Sequence, residues 1–269
     1  MNDHLATASP EVSDVLNIAN LTLHNRLILG TGGAPSHRVI IETVGVSGSE
    51  MVTVAIRRFD PTNKRASIFE ELKKLKVHIL PNTAGCYSAK EAILTAELAR
   101  EALGTDLVKV EVISDDLTLL PDPIELTLAT EQLISRGFQV FAYTNDDPVL
   151  ADHLVKLGVA AVMPLGSPIG SGLGILNPHN ISIIVERSTC PVVLDAGIGC
   201  ASDAAFAMEL GCDAVLAASA VTRAQTPSLM ASAIAKAVHA GRESYLAGRI
   251  PKRRFAQAST DNEGRPFVD

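Results

Sequence analysis

The chain has 269 residues, of which 47% are hydrophobic and 20% charged, with a formal net charge of −7. That composition supports an extensive core and excludes general disorder, while a pI near 5.5 argues against nucleic acid as the main partner. No uncharged apolar run reaches the roughly 18 residues that mark a membrane span.

Residues 1–14 read as a disordered leader, because Met1-Asn2-Asp3-His4 has neither the basic start nor the apolar core of a signal peptide. The first strand is Leu27–Leu29, followed by Gly30-Thr31-Gly32 and a helix over Ser36–Val46. Strand Met51–Ile56 ends at Arg57-Arg58 and precedes a helix over Ile68–Leu75. Strand His78–Leu80 leads through Pro81-Asn82-Thr83 to a helix over Ser88–Leu103, which Ser88 and Glu91 open as a capping box. Strand Leu107–Ile113 precedes helix Pro123–Arg136, and strand Gln139–Tyr143 precedes helix Asp147–Leu157. Strand Ala160–Pro164 runs through Leu165-Gly166 to helix Pro178–Arg187, and strand Val192–Asp195 precedes helix Ser202–Leu210. The last unit is strand Ala214–Ala217 with helix Pro227–Ala240. Pro178 and Pro227 sit at first turns, and Gly137, Gly158 and Gly211 follow helix ends where a left-handed residue is needed. Residues 256–269 read as a flexible tail.

Eight strand–helix units over residues 15–255 predict a single (β/α)8 barrel, an α/β fold without an internal domain boundary. A doubly wound open sheet is the rival, but Gly30-Thr31-Gly32-Gly33 lacks the later glycine of the dinucleotide fingerprint. In a barrel, chemistry gathers where the strands end, and that is where the polar residues and glycines of this chain concentrate.

The fourth strand carries the strongest functional signal. Period-2 geometry puts Lys109 and Glu111 on one face and Val108, Val110 and Val112 on the other. The neighbouring strands are almost continuously apolar, so this pair points into a buried interior where charges are costly unless paired or used. Burial favours the neutral amine, the form that attacks carbonyls; a buried structural ion pair is the alternative. Small residues after the seventh and eighth strands, Asp195-Ala196-Gly197-Ile198-Gly199 and Ala217-Ala218-Ser219, suit a phosphate held by backbone amides. A lysine in a phosphate-binding barrel suggests Schiff-base chemistry on a sugar phosphate, with Glu111 and Asp195 moving protons.

Four cysteines (Cys86, Cys190, Cys200 and Cys212) form no CxxC pair and read as reduced thiols in a cytoplasmic protein. Cys200 stands out because it follows a glycine-rich turn. Neither they nor the seven histidines have metal-ligand spacing, so no metal site is expected.

Several motifs resemble the thiazole synthase family of thiamine biosynthesis: Leu80-Pro-Asn-Thr-Ala-Gly85, Val108-Lys-Val-Glu-Val-Ile113, Ser167-Pro-Ile-Gly-Ser-Gly172, Gly174-Ile-Leu-Asn-Pro178, Asp195-Ala-Gly-Ile-Gly199 and Ala247-Gly-Arg-Ile-Pro251. The resemblance runs from about Leu21 to Pro251. It implies a Schiff base between Lys109 and the ketone of 1-deoxy-D-xylulose 5-phosphate, with Glu111 and Asp195 as acid/base groups. It also implies phosphate contacts at Gly166, Ala196, Gly197, Ala218 and Ser219, and no cofactor. Sulfur would come from the C-terminal thiocarboxylate of a small sulfur-carrier protein, and dehydroglycine from a separate enzyme. The family tends toward homotetramers. A channel for the carrier's tail is expected along Ser167, Pro168, Gly170 and Gly172. Two departures stand out: Ala218 replaces an asparagine common at that position, and Ser114 replaces a glycine. A lysine aldolase, a phosphosugar isomerase and a non-catalytic binding module are the competing readings.

Overall fold

The computed structural model describes residues 14–56 and 68–259. Arg57-Arg58, the leader before Asp14 and the tail after residue 259 lie outside the described residues. Eight strands form one parallel sheet: β3 (Leu27–Gly30), β4 (Met51–Ala55), β5 (His78–Asn82), β6 (Leu107–Val110), β7 (Gln139–Thr144), β8 (Ala161–Pro164), β9 (Val193–Leu194) and β10 (Ala214–Ala217). Their order is β8-β7-β6-β5-β4-β3-β10-β9, and the parallel bridges Val162–Val192 and Leu165–Asp195 join the two ends. The ring therefore closes into a (β/α)8 barrel, and the open sheet is excluded.

Around it run α1 (His37–Ser47), α2 (Ile68–Lys74), α3 (Ala89–Leu103), α4 (Pro123–Ser135), α5 (Pro148–Leu157), α6 (Pro178–Arg187), α7 (Ala201–Glu209), α8 (Ser219–Thr222) and α9 (Pro227–Ala247). Ser36, Ser88, Asp122, Asp147 and Asn177 each accept a first-turn amide, which fixes where these helices begin. Gly137, Gly158 and Gly211 adopt φ of +83°, +92° and +98° after α4, α5 and α7, as their positions require.

Alternation along the strands divides the core in two. Leu29, Val52, Val54, Val108, Val110, Val140 and Val215 face the helices. Ile28, Met51, Leu80, Phe141, Met163, Val193 and Leu216 fill the interior. The polar interior positions come one or two steps later along the strands, at the carboxyl end.

Four features depart from the sequence expectation. A hairpin, β1 (Leu16–Ile18) with β2 (Leu21–Leu23), precedes the barrel. Leu16, Ile18 and Leu23 join the interior cluster with Ile28 and Met51 near the strand starts, so the hairpin plugs the amino end. Its three-residue strands are too short to carry a periodic signal. The second departure is β6, which ends at Val110 rather than Ile113. The third is α8, a single turn directly after β10 that no apolar periodicity announces. The fourth is α9, which continues past Gly241 to Ala247 instead of ending at Ala240. Gly241 lies inside the helix because α9 crosses α7 closely there: a Cβ would approach the Cα of Ala205 at 2.9 Å.

Asp14, at the start of the described chain, is gripped by two arginines. Its carboxylate meets Arg26 Nη2 at 2.7 Å and Arg242 Nη2 at 2.8 Å, tying the hairpin to α9. Hydrogen bonding from Arg242, opposed by partial burial and reinforced by Arg26, lowers the Asp14 pKa to about 2. Because the folded value lies below the unfolded one, this contribution is present above pH of about 4 and fades as pH falls toward about 2. Asp14→Asn should cost about 1–3 kcal/mol at neutral pH, since Arg26 is left buried beside a weaker partner. It should also flatten acid unfolding over that window. Urea melts from pH 7 to 2.5 test this, and parallel curves for variant and wild type would refute it.

Candidate active site

Lys109 lies on β6, and Glu111 follows immediately, still on the interior face although the strand ladder has ended. Asp195 follows β9, at the bridge that closes the barrel. These three buried groups meet at one point. Lys109 Nζ is 2.9 Å from Glu111 Oε1 and is ion-paired with Asp195 Oδ2. They retain only 4%, 6% and 3% exposure, so each charge depends on the others rather than on water.

The electrostatics correct one expectation. Burial alone pushes the Lys109 ammonium toward the neutral amine, but the Asp195 and Glu111 carboxylates outweigh it and raise the pKa. The resting lysine is therefore charged. Burial raises the Asp195 pKa; Lys109 opposes, Glu111 adds to the rise, and the Ala196 amide donates to the carboxylate. That upward shift, with its direct ion pair to the amine, suits Asp195 to receive the Lys109 proton. Tyr143 packs its ring 5.2 Å from Lys109 Nζ, and burial reinforced by both carboxylates keeps its phenol protonated.

Above this cluster a cavity of about 180 Å³ opens at the carboxyl end of the barrel. Lys109, Glu111, Asp195, Ala196, Gly197, Ala218 and Ser219 all line it, together with Gly170. Thr31, Thr53 and Asn82 also line it; reasoning from sequence placed Thr31 and Asn82 at strand ends but gave them no role. The Thr31 hydroxyl is already committed to the Thr53 carbonyl at 3.0 Å.

Ala196 and Gly197 have φ of +62° and +86°, turning the chain sharply after Asp195. A Cβ on Gly197 would sit 2.6 Å from the Ser167 amide nitrogen and 2.8 Å from the Gly174 carbonyl, so glycine is required for packing as well as for φ. Ser219 opens α8 and lines the cavity with Ala196 and Gly197, while the Val221 and Thr222 amides of the same turn donate to the Ala218 carbonyl at 3.0 and 2.9 Å. Gly166 stands apart. It does not line the cavity, and its amide points to the Asp195 and Ala196 carbonyls, both at 3.3 Å.

The four residues expected along a tail channel separate. Ser167 is buried, with its hydroxyl 3.0 Å from that of Ser171, and Pro168 is half-buried. Gly170 borders both the main cavity and a second hollow of about 290 Å³, which Gly172, Gly199, Arg223 and Met230 also line. Cys200 is the exposed N-cap of α7, with Sγ 3.0 Å from the Ser202 hydroxyl and its amide donating to Asp203, and it lies outside the main cavity. Among the described residues, no two cysteines form a disulfide. Among the described residues, no cluster of three His, Cys, Asp or Glu could hold a metal, and no helix is long and apolar enough to cross a membrane.

A family profile described as "Thiazole biosynthesis protein ThiG" matches residues 17–261, nearly the whole chain. Among solved structures, the Amycolatopsis orientalis BexX/CysO complex is similar at 29% identity with a TM-score of 0.79, covering 88% of this chain and 98% of that one. Thiamine phosphate pyrophosphorylase from Pyrococcus furiosus (17% identity, TM-score 0.55, 80% and 96% covered) shares the fold. So does a 3-hexulose-6-phosphate synthase (17% identity, TM-score 0.53, 79% and 99% covered).

Proposed function

The chain belongs to the ThiG thiazole-biosynthesis family, and on that premise we propose that it is a thiazole synthase acting through a Schiff base on Lys109. The observation that carries the reading is a buried lysine bracketed by two carboxylates at the floor of a cavity bordered by small-residue loops. The substrate is 1-deoxy-D-xylulose 5-phosphate. As it binds, Lys109 passes a proton to Asp195, and the neutral amine attacks the substrate ketone. The carbinolamine then expels water as a carboxylic acid returns a proton to the leaving oxygen, leaving an iminium. Glu111, on the other side of the nitrogen, removes a carbon-bound proton so that the carbonyl character can migrate along the chain. Sulfur from the thiocarboxylate of a small carrier protein then replaces the migrated carbonyl oxygen, which leaves on the carrier as its carboxylate. Dehydroglycine from a separate enzyme condenses with loss of water to complete the ring without a bound cofactor.

The similar protein in the BexX/CysO complex was solved with a second protein, which supports a protein partner here. The tail of such a partner would approach past Gly170 and Gly172, with Ser167 and Pro168 supporting the loop. A cytoplasmic homotetramer fits the family reading. An aldolase or isomerase would use the same lysine, so the distinguishing experiment is product analysis. The purified protein is supplied with deoxyxylulose phosphate, thiocarboxylated carrier and a dehydroglycine source. A thiazole phosphate is expected, and cleavage or isomerisation of the sugar alone would replace this reading.

The phosphate is held by the Gly197 amide and the amide and hydroxyl of Ser219; Ala196, whose own amide serves Asp195, and Ala218 shape the site with their backbone, and Gly166 supports from behind. Ser219→Ala should raise KM for the phosphorylated sugar about tenfold, the scale of one hydrogen bond to a charged group. Turnover at saturation should change little. Unchanged KM would remove Ser219 from the phosphate site.

A further inference from the structure

We propose that Thr83 is the positioning residue that fixes Glu111 against Lys109, by completing the barrel ladder with its side chain where the backbone ladder has ended. The register of β5 and β6 pairs Asn82 with Lys109, and the Thr83 amide donates to the Lys109 carbonyl at 3.1 Å. Beyond that point the chain after β5 turns away, with the Thr83 carbonyl accepting the Cys86 amide at 3.1 Å. Thr83 is thereby spent as a backbone acceptor toward β6. Its hydroxyl takes over: Oγ1 donates to the Glu111 carbonyl at 2.7 Å and accepts the Glu111 amide at 2.8 Å. One hydroxyl thus serves both polar backbone groups of Glu111.

Thr83 is fully buried, so water does not substitute for it. It also does not line the cavity, although its neighbours Asn82 and Ala84 do. It acts on Glu111 and not on substrate. Serine could make both bonds, whereas valine keeps the shape of threonine and offers neither donor nor acceptor. A displacement of about 1 Å at a catalytic group can cost on the order of 10²-fold in rate.

The role rests on the Schiff-base reading, so the experiment includes a readout that needs no substrate. Thr83→Val, Thr83→Ser and Glu111→Gln are made in the full chain, with the two valine/glutamine changes also combined. Thr83→Val is expected to lower kcat on the order of 10²-fold with little change in KM, and Thr83→Ser to stay within about threefold of wild type. In the Glu111→Gln background Thr83→Val should have little further effect, because the group it positions is already neutral. In parallel, reductive methylation of Lys109 by formaldehyde and cyanoborohydride is followed against pH by peptide mass. Removing the Glu111 carboxylate from its place lowers the lysine's proton affinity, so Thr83→Val should methylate several-fold faster at a given pH, and Thr83→Ser should not. If wild type forms no product while the methylation pattern holds, the substrate assignment fails and the positioning role stands. Undiminished Thr83→Val effects on the Glu111→Gln background, unchanged methylation, or a Thr83→Ser variant as impaired as a hydroxyl-free one would overturn it. Thr83→Ser decides the matter even where Thr83→Val folds poorly.

Discussion

Lys109→Ala is expected to lose thiazole formation by on the order of 10⁴-fold or more, the scale seen when a covalent nucleophile is removed. Among the described residues, no other amine lines the cavity. The variant should also behave distinctively as a folded protein. Without the ammonium, Glu111 and Asp195 are buried carboxylates facing each other, and one must take up a proton to remain in that place. A carboxyl whose folded pKa is raised above its unfolded value stabilises the fold at low pH and loses that contribution as pH rises through the folded value. Lys109→Ala should therefore become less stable relative to wild type between about pH 5 and 8, where an ordinary carboxyl is already ionised. Thermal melts across that range test the sign. A variant that loses activity but shows wild-type pH dependence would mean that the carboxylates do not feel the lysine's charge.

Asp195→Asn is expected to be the second most damaging change, at about 10²–10⁴-fold in kcat, with Glu111→Gln in the same range. Asp195 takes the lysine's proton in forming the imine, because burial raises its pKa and its carboxylate touches the lysine directly. The amide keeps the shape but cannot receive the Lys109 proton. Asp195 also contributes most to raising the lysine's pKa against burial, so the variant's lysine should titrate at lower pH. The alkaline limb of imine formation should shift downward accordingly, while the maximal rate stays low. Near-normal kcat in both amide variants would assign the proton transfers to other groups.

Most of this arrangement is legible in the sequence because it depends on period-2 alternation and on small residues after strands. Valines at 108, 110 and 112 oriented Lys109 and Glu111 inward, and the structure has both inside the barrel. Asp195 was legible as the last residue of an apolar run. What escaped notice was set by contacts distant in the chain. The proton on Lys109 depends on two carboxylates, one of them contributed by the strand that closes the ring. Thr83 appears in the sequence only as a strand-end hydroxyl; its role emerges from pairing with a segment 28 positions away. The hairpin at Leu16–Leu23 is legible only as scattered leucines until the barrel interior supplies their partner surface. Gly166 looks like its small neighbours in sequence, yet its amide is already committed to the carbonyls of the adjoining loop.

Borohydride reduction of the protein incubated with 1-deoxy-D-xylulose 5-phosphate, without sulfur donor or dehydroglycine, tests the Schiff base most directly. Peptide mass analysis should find one reduced substrate adduct, confined to the peptide containing Lys109 and absent from Lys109→Ala. An adduct on a different lysine, or undiminished labelling of Lys109→Ala, would contradict it.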